Sequence, residues 1–126
     1  MDISDNLIPK FLPGKNIAIK VPPHQFEQTV KFYRDILKLK ELNPASSDNM
    51  QSVTFQFGDK NLWIDNISTI SQAEIWLEIR TDNIEKASLY LKEQNITRQD
   101  EIEKLPEGFA GFWISSPSNI IHLVNE

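Results

Sequence analysis

Short stretches of the chain alternate apolar and polar residues, and a period of two marks a strand with one covered face. Residues 16–21 alternate and stop at Pro22-Pro23, which cannot continue a ladder. The cleanest alternation runs over 51–57, and after Gly58-Asp59-Lys60 it resumes over 61–65, which predicts a hairpin. Residues 74–79 alternate again, and two further strands, 109–115 and 119–125, flank Ser116-Pro117-Ser118. Shorter strands are expected over 38–43, ended by Asn43-Pro44 and a polar loop, and around 96–101.

Two stretches change to helical spacing. Phe26, Val30, Tyr33, Ile36 and Leu37 recur every three or four positions, as do Ile84, Ala87 and Leu91. Asp82 and Glu85 have the spacing of a capping box before the second helix, and Asn95 tolerates a left-handed stop after it. The order is strand, helix, three strands, and then the same again. That pattern predicts an internal duplication of a βαβββ unit of about sixty residues. One helix per four strands covers a single sheet face, so the fold class is α+β with two layers. Residues 1–14, with two prolines and a glycine, read as an N-terminal extension. Residues 15–126 read as one domain, with module one at 15–66 and module two at 74–126.

Alternation also sorts the strand residues by face. Ile17, Ile19, Val21, Val53, Phe55, Phe57, Leu62, Ile64, Ile75, Leu77, Ile79, Ile121 and Leu123 form an apolar set expected under the helices. The opposite set holds Asn16, Lys20, Thr54, Trp63, Asp65, Glu74, Trp76, Glu78, Trp113, His122 and Val124. Carboxylates, amides and an imidazole among all three tryptophans suit the wall of a small-molecule pocket better than a plain solvated sheet.

Composition narrows the chemistry. The chain of 126 residues has no cysteine, which excludes disulfides, thiolate zinc sites and a cysteine nucleophile. A net charge of −5 without any run of Lys or Arg argues against nucleic acid. No apolar stretch approaches a membrane span, and the first residues lack a basic, then apolar, leader pattern, so the expected location is the cytoplasm. Four scattered glycines make no phosphate-cradling loop, and the serines form no nucleophile elbow.

Residues 16–21, the segment Thr29-Val-Lys-Phe-Tyr-Arg-Asp-Ile-Leu-Lys-Leu39, residues 74–85 and 116–124 together resemble the vicinal oxygen chelate superfamily, which holds glyoxalase, bleomycin-resistance and extradiol dioxygenase proteins. The resemblance implies paired βαβββ modules, a curled mixed sheet with outer helices, and a homodimer. It also implies metal-ligand positions at Asn16, Trp63, Glu74 and His122, of which only Glu74 and His122 are competent ligand types. The helix-stop glycine of the family corresponds to Lys38.

Two functions follow as expectations. The first is a binding protein without the family's usual metal centre or any cofactor. It would hold a small aromatic or cationic molecule with Asn16, Trp63, Asp65, Trp76, Glu78 and Trp113. The second is a metal-dependent lyase, isomerase or dioxygenase in which Glu74 and His122 act as catalytic acid–base pair or as metal ligands.

Overall fold

The structure, a computed structural model, describes residues 8–42 and 51–126. The strand end at Asn43-Pro44, the polar loop after it and the first half of the N-terminal extension lie outside the described residues. The chain divides into two compact units, residues 15–76 and residues 77–126 together with the N-terminal segment to Gly14.

In the first unit, β1 (Phe11–Val21) leads into α1 (Pro23–Lys31), then β2 (Glu41–Leu42), β3 (Ser52–Phe57) and β4 (Lys60–Asn66). The strand order is β2-β3-β4-β1, with β1 and β4 parallel and the other pairs antiparallel. Pro23 occupies the first turn of α1, where its missing N–H costs nothing. The helix widens into a π-helical turn at Phe32–Ile36, closed by the Leu37 N–H donating to the Phe32 carbonyl at 2.9 Å. Lys38 then adopts φ 61°, and the Leu39 N–H reaches back to the Tyr33 carbonyl at 3.0 Å. This bond spans one residue more than the six-to-one bond of a Schellman stop, as the widened π turn before it requires, with a lysine at the left-handed position. Tyr33 and Leu39 pack together on the core of Val21, Val30, Phe55, Leu62 and Ile64.

The second unit repeats the plan with β5 (Glu74–Thr81), α2 (Ile84–Glu93), β6 (Gly111–Ser115) and β7 (Ile121–Asn125). β5 is parallel to β7, and β7 is antiparallel to β6. The strand expected around 96–101 is reduced to one bridge, Arg98 opposite Ile114, on the far side of β6. Bridge, β6, β7 and β5 therefore repeat the order of β2, β3, β4 and β1, and the α+β class with two βαβββ modules is what the structure has. The cap of α2 is Asn83, whose side chain accepts from the Lys86 N–H at 2.9 Å. Asp82 instead accepts from the Lys10 N–H at 3.0 Å. Asn95 takes the left-handed conformation at φ 65°.

Two further expectations need correction. β1 begins at Phe11, five residues before the predicted start, because Pro13 and Gly14 interrupt the alternation without interrupting the strand. Phe11 joins the second unit's core of Ala87, Phe112, Ile114 and Val124. The face assignment of β7 is also reversed. Val124 pairs with Phe112 and His122 with Ile114, while Leu123 pairs with Trp113. Partners directly opposite share a face, so His122 and Val124 lie on the helix side and Ile121 and Leu123 on the other. Both faces of β7 are apolar, so hydrophobic alternation alone carries no information about which is covered.

Candidate functional site

On the face of the first unit away from α1, three strands present a grid of side chains. Its cross-strand rows are Ser52–Asp65–Lys20, Thr54–Trp63–Ala18 and Gln56–Asn61–Asn16. The alternation that puts Ile17, Ile19, Leu62, Ile64, Val53 and Phe55 under the helix puts these residues on the other side.

The first row is a buried ion pair. Lys20 Nζ lies 2.8 Å from Asp65 Oδ2, and the two side chains are 5% and 8% exposed. Ser52 Oγ donates to Asp65 Oδ1 at 2.6 Å, giving the carboxylate a partner on each oxygen. Lys20 Nζ also sits 4.3 Å from the ring centroid of Trp76. Trp76 in turn donates its indole N–H to Glu74 Oε1 at 2.9 Å, on the exposed side chain that opens β5. A continuous chain thus runs from Ser52 through Asp65, Lys20 and Trp76 to Glu74.

The lower rows are tied by amides. Asn16 Oδ1 accepts from Trp63 Nε1 at 2.8 Å and from Asn61 Nδ2 at 3.2 Å. Those two donors engage both lone pairs of that oxygen.

The remaining residues singled out from sequence lie in the second unit. Glu78 Oε2 accepts from Asn125 Nδ2 at 2.8 Å, and Asn125 Oδ1 is buried with no partner among the described residues. Trp113 is 5% exposed and donates its indole N–H to the Glu103 carbonyl at 2.9 Å, fastening the 98–110 loop to the sheet. That makes it a structural anchor rather than part of an open wall. His122 Nδ1 meets the Ile120 carbonyl at 2.9 Å. His122 lies beside Leu77, and Glu78 alternates onto the opposite side of β5.

Lys20 is the residue whose role sequence reasoning missed. It was legible as a cation on the polar face, but the parallel register that sets it beside Asp65 was not.

A divalent metal centre needs several fixed nitrogen or oxygen ligands converging on one point. At the four positions implied by the resemblance, the Asn16 oxygen is engaged by two donors and an indole at Trp63 has no lone pair to offer. Glu74 accepts from Trp76, and His122 points to the helix side. No group of three or more His, Cys, Asp or Glu side chains gathers among the described residues. The donor set does not fit such a centre. Among the described residues, no helix is long and apolar enough to cross a membrane.

No family model matches the chain, and no curated protein matches it. Solved structures do. A hypothetical protein from Bacillus halodurans C-125 superposes with a TM-score of 0.62 at 15% identity, covering 93% of this chain and 94% of that one. The Mn(II)-bound glyoxalase from Novosphingobium aromaticivorans gives 0.64 at 15% identity, over 94% of this chain and 40% of the other. Homoprotocatechuate 2,3-dioxygenase from Brevibacterium fuscum gives 0.60 at 16% identity, over 93% of this chain and 33% of the other. The chain therefore has the vicinal oxygen chelate fold, and it spans well under half the length of the two enzymes that it matches.

Proposed function

We propose that the protein binds a small aromatic molecule on the tryptophan-bearing polar face of its first unit, without a metal ion and without catalysing the fold's metal-dependent reactions. The observation that carries this reading is the position of Lys20. Its ammonium rests against both the Asp65 carboxylate and the Trp76 ring. A carboxylate beside an indole face is what would attract a cationic ligand, and here the chain supplies that cation itself. The built-in charge removes the reason to bind a metal or an amine at this point. Half-buried Trp63 and Trp76 offer aromatic surface, with the exposed Glu74 carboxylate able to accept from a phenol or ring N–H. The Mn(II)-bound glyoxalase and the dioxygenase share this fold, but the donor set here lacks the means to hold a metal as a Lewis acid.

Tryptophan emission titrated with phenols, indoles and alkylammonium ions tests the proposal. Saturable quenching by the aromatic compounds, weakened in Trp63→Leu and absent for the alkylammonium ions, is expected. A flat titration across the panel overturns the binding reading. Elemental analysis after exposure to manganese, zinc, nickel and iron(II) tests the other half, since one tightly held ion per chain would overturn it.

A further inference from the structure

Glu85, Ser88, Leu89 and Lys92 follow one another at helical spacing along α2, on a stripe distinct from the one that carries Ala87 and Leu91 into the core. Beside this stripe, Arg98 and residues 109–112 complete a groove of about 650 Å³. The groove lies wholly within the second unit, so its argument is independent of the tryptophan-bearing face.

Arg98 is held in a fixed pose. Its Nε donates to Asp100 Oδ1 at 3.1 Å, and its Nη2 lies 3.0 Å from Asp100 Oδ2. Nη1 donates to Ser88 Oγ at 3.1 Å, and the guanidinium lies 4.6 Å from the Phe112 ring centroid. A guanidinium has five N–H donors in a rigid plane. Three are engaged, leaving one on each terminal nitrogen. The Arg98 side chain is 46% exposed and oriented by these partners, with two donors remaining for an anion. Lys92 lines the same groove. Leu89 and Phe109 stand 60% and 39% exposed there, two large apolar side chains in water next to a fixed cation.

We propose that this groove binds a small monocarboxylic acid with an aryl or alkyl body. The carboxylate takes the remaining Arg98 donors with Lys92 nearby, and the body covers Leu89 and Phe109. Asp100, outside the groove, offsets much of the Arg98 charge and Glu85 places an acid in the lining, so one negative charge is favoured over the two of a phosphate ester.

Calorimetric titration of the intact protein with 4-phenylbutyrate, with 4-phenylbutanol as the uncharged control, decides the matter. The acid is expected to saturate, and to bind at least about tenfold more tightly than the alcohol, because charge-assisted hydrogen bonds to Arg exceed neutral ones. Arg98→Gln should lose about tenfold in affinity for the acid and little for the alcohol. Arg98 also braces Asp100 and Phe112, so Lys92→Gln and Leu89→Asn, both on the exposed surface of the helix, provide variants that leave the fold in place. Each should weaken binding of the acid by about threefold or more, Lys92→Gln through charge and Leu89→Asn through lost apolar contact. Failure to saturate, equal affinity for acid and alcohol, or unchanged affinity in both Lys92→Gln and Leu89→Asn would overturn the assignment.

Discussion

Trp63 and Asn16 hold each other across two parallel strands, the indole N–H of one donating to the side-chain oxygen of the other at 2.8 Å. Two of the four positions at which the resemblance implies metal ligands are thereby joined by a hydrogen bond. A double-mutant cycle with Trp63→Phe and Asn16→Ala should return a coupling of about 0.5–1.5 kcal/mol in urea unfolding. Simple additivity would mean that the contact does not persist in solution.

Lys20 and Asp65 form a deeply buried charge pair. Removing one partner takes this ion pair from the other while it stays desolvated, so Lys20→Met and Asp65→Leu should each cost about 3–5 kcal/mol. The double variant should cost much less than their sum, because it buries no charge. In Lys20→Ala, propylammonium should raise Tm by refilling the space against Asp65 and Trp76, and it should leave the parent protein unaffected. Equal shifts in both proteins would show that the amine acts elsewhere.

Lys38 occupies a left-handed backbone position at φ 61° with its side chain exposed. The conformation costs a residue with a Cβ roughly 1–2 kcal/mol, part of which glycine returns as unfolded-state entropy. Lys38→Gly should therefore stabilise the protein by about 0.5–1 kcal/mol, while Lys38→Ala should give no gain. Thermal unfolding of the three proteins side by side provides the comparison.

Arg34 and Asp35 pair on the π-helical turn, with Arg34 Nε 3.1 Å from Asp35 Oδ1. The hydrogen bond from Arg34, aided by its charge and those of Lys38 and Lys31, holds the Asp35 carboxyl below its ordinary range. The same bond and the charge of Asp35 raise the Arg34 guanidinium. A carboxyl depressed in the folded state contributes stability above its unfolded midpoint and loses it as pH falls through the folded one. Carboxyl carbon resonances should show the Asp35 midpoint moving up in Arg34→Gln. An unmoved midpoint would place the pair apart in solution.

Much of this fold was legible because its punctuation is strong. Pro22-Pro23 ends β1, Gly58 at φ 66° turns the β3–β4 hairpin, and Asn95 stops α2. Each residue does locally what the global arrangement requires. Where local signals conflict, the reading failed. Gly14 looks like a loop residue but sits in β1, where any Cβ would clash with the Glu78 side chain, so the glycine reflects close packing rather than a turn. In β7 both faces are apolar, and register with Phe112 and Ile114 settled what pattern could not, moving His122 to the helix side. The tryptophans and Asp65 were readable as members of one face. The partners that engage Trp63 and Asp65, Asn16 and Lys20, come from a strand more than forty residues away, and no local rule encodes that pairing.

The N-terminal segment through Gly14, with Phe11 6.1 Å from Tyr90 and the Lys10 N–H on Asp82, is counted with residues 77–126, while residues 15–76 form an unbroken unit of their own. The gene therefore writes one module inside the other. On the ribosome the inner module is complete first, whereas the opening strand of the outer module emerges earliest and finds its packing partners last. At about 5–20 residues per second that wait is on the order of several seconds. During this interval Phe11 lacks Tyr90 and the rest of the core that it packs on.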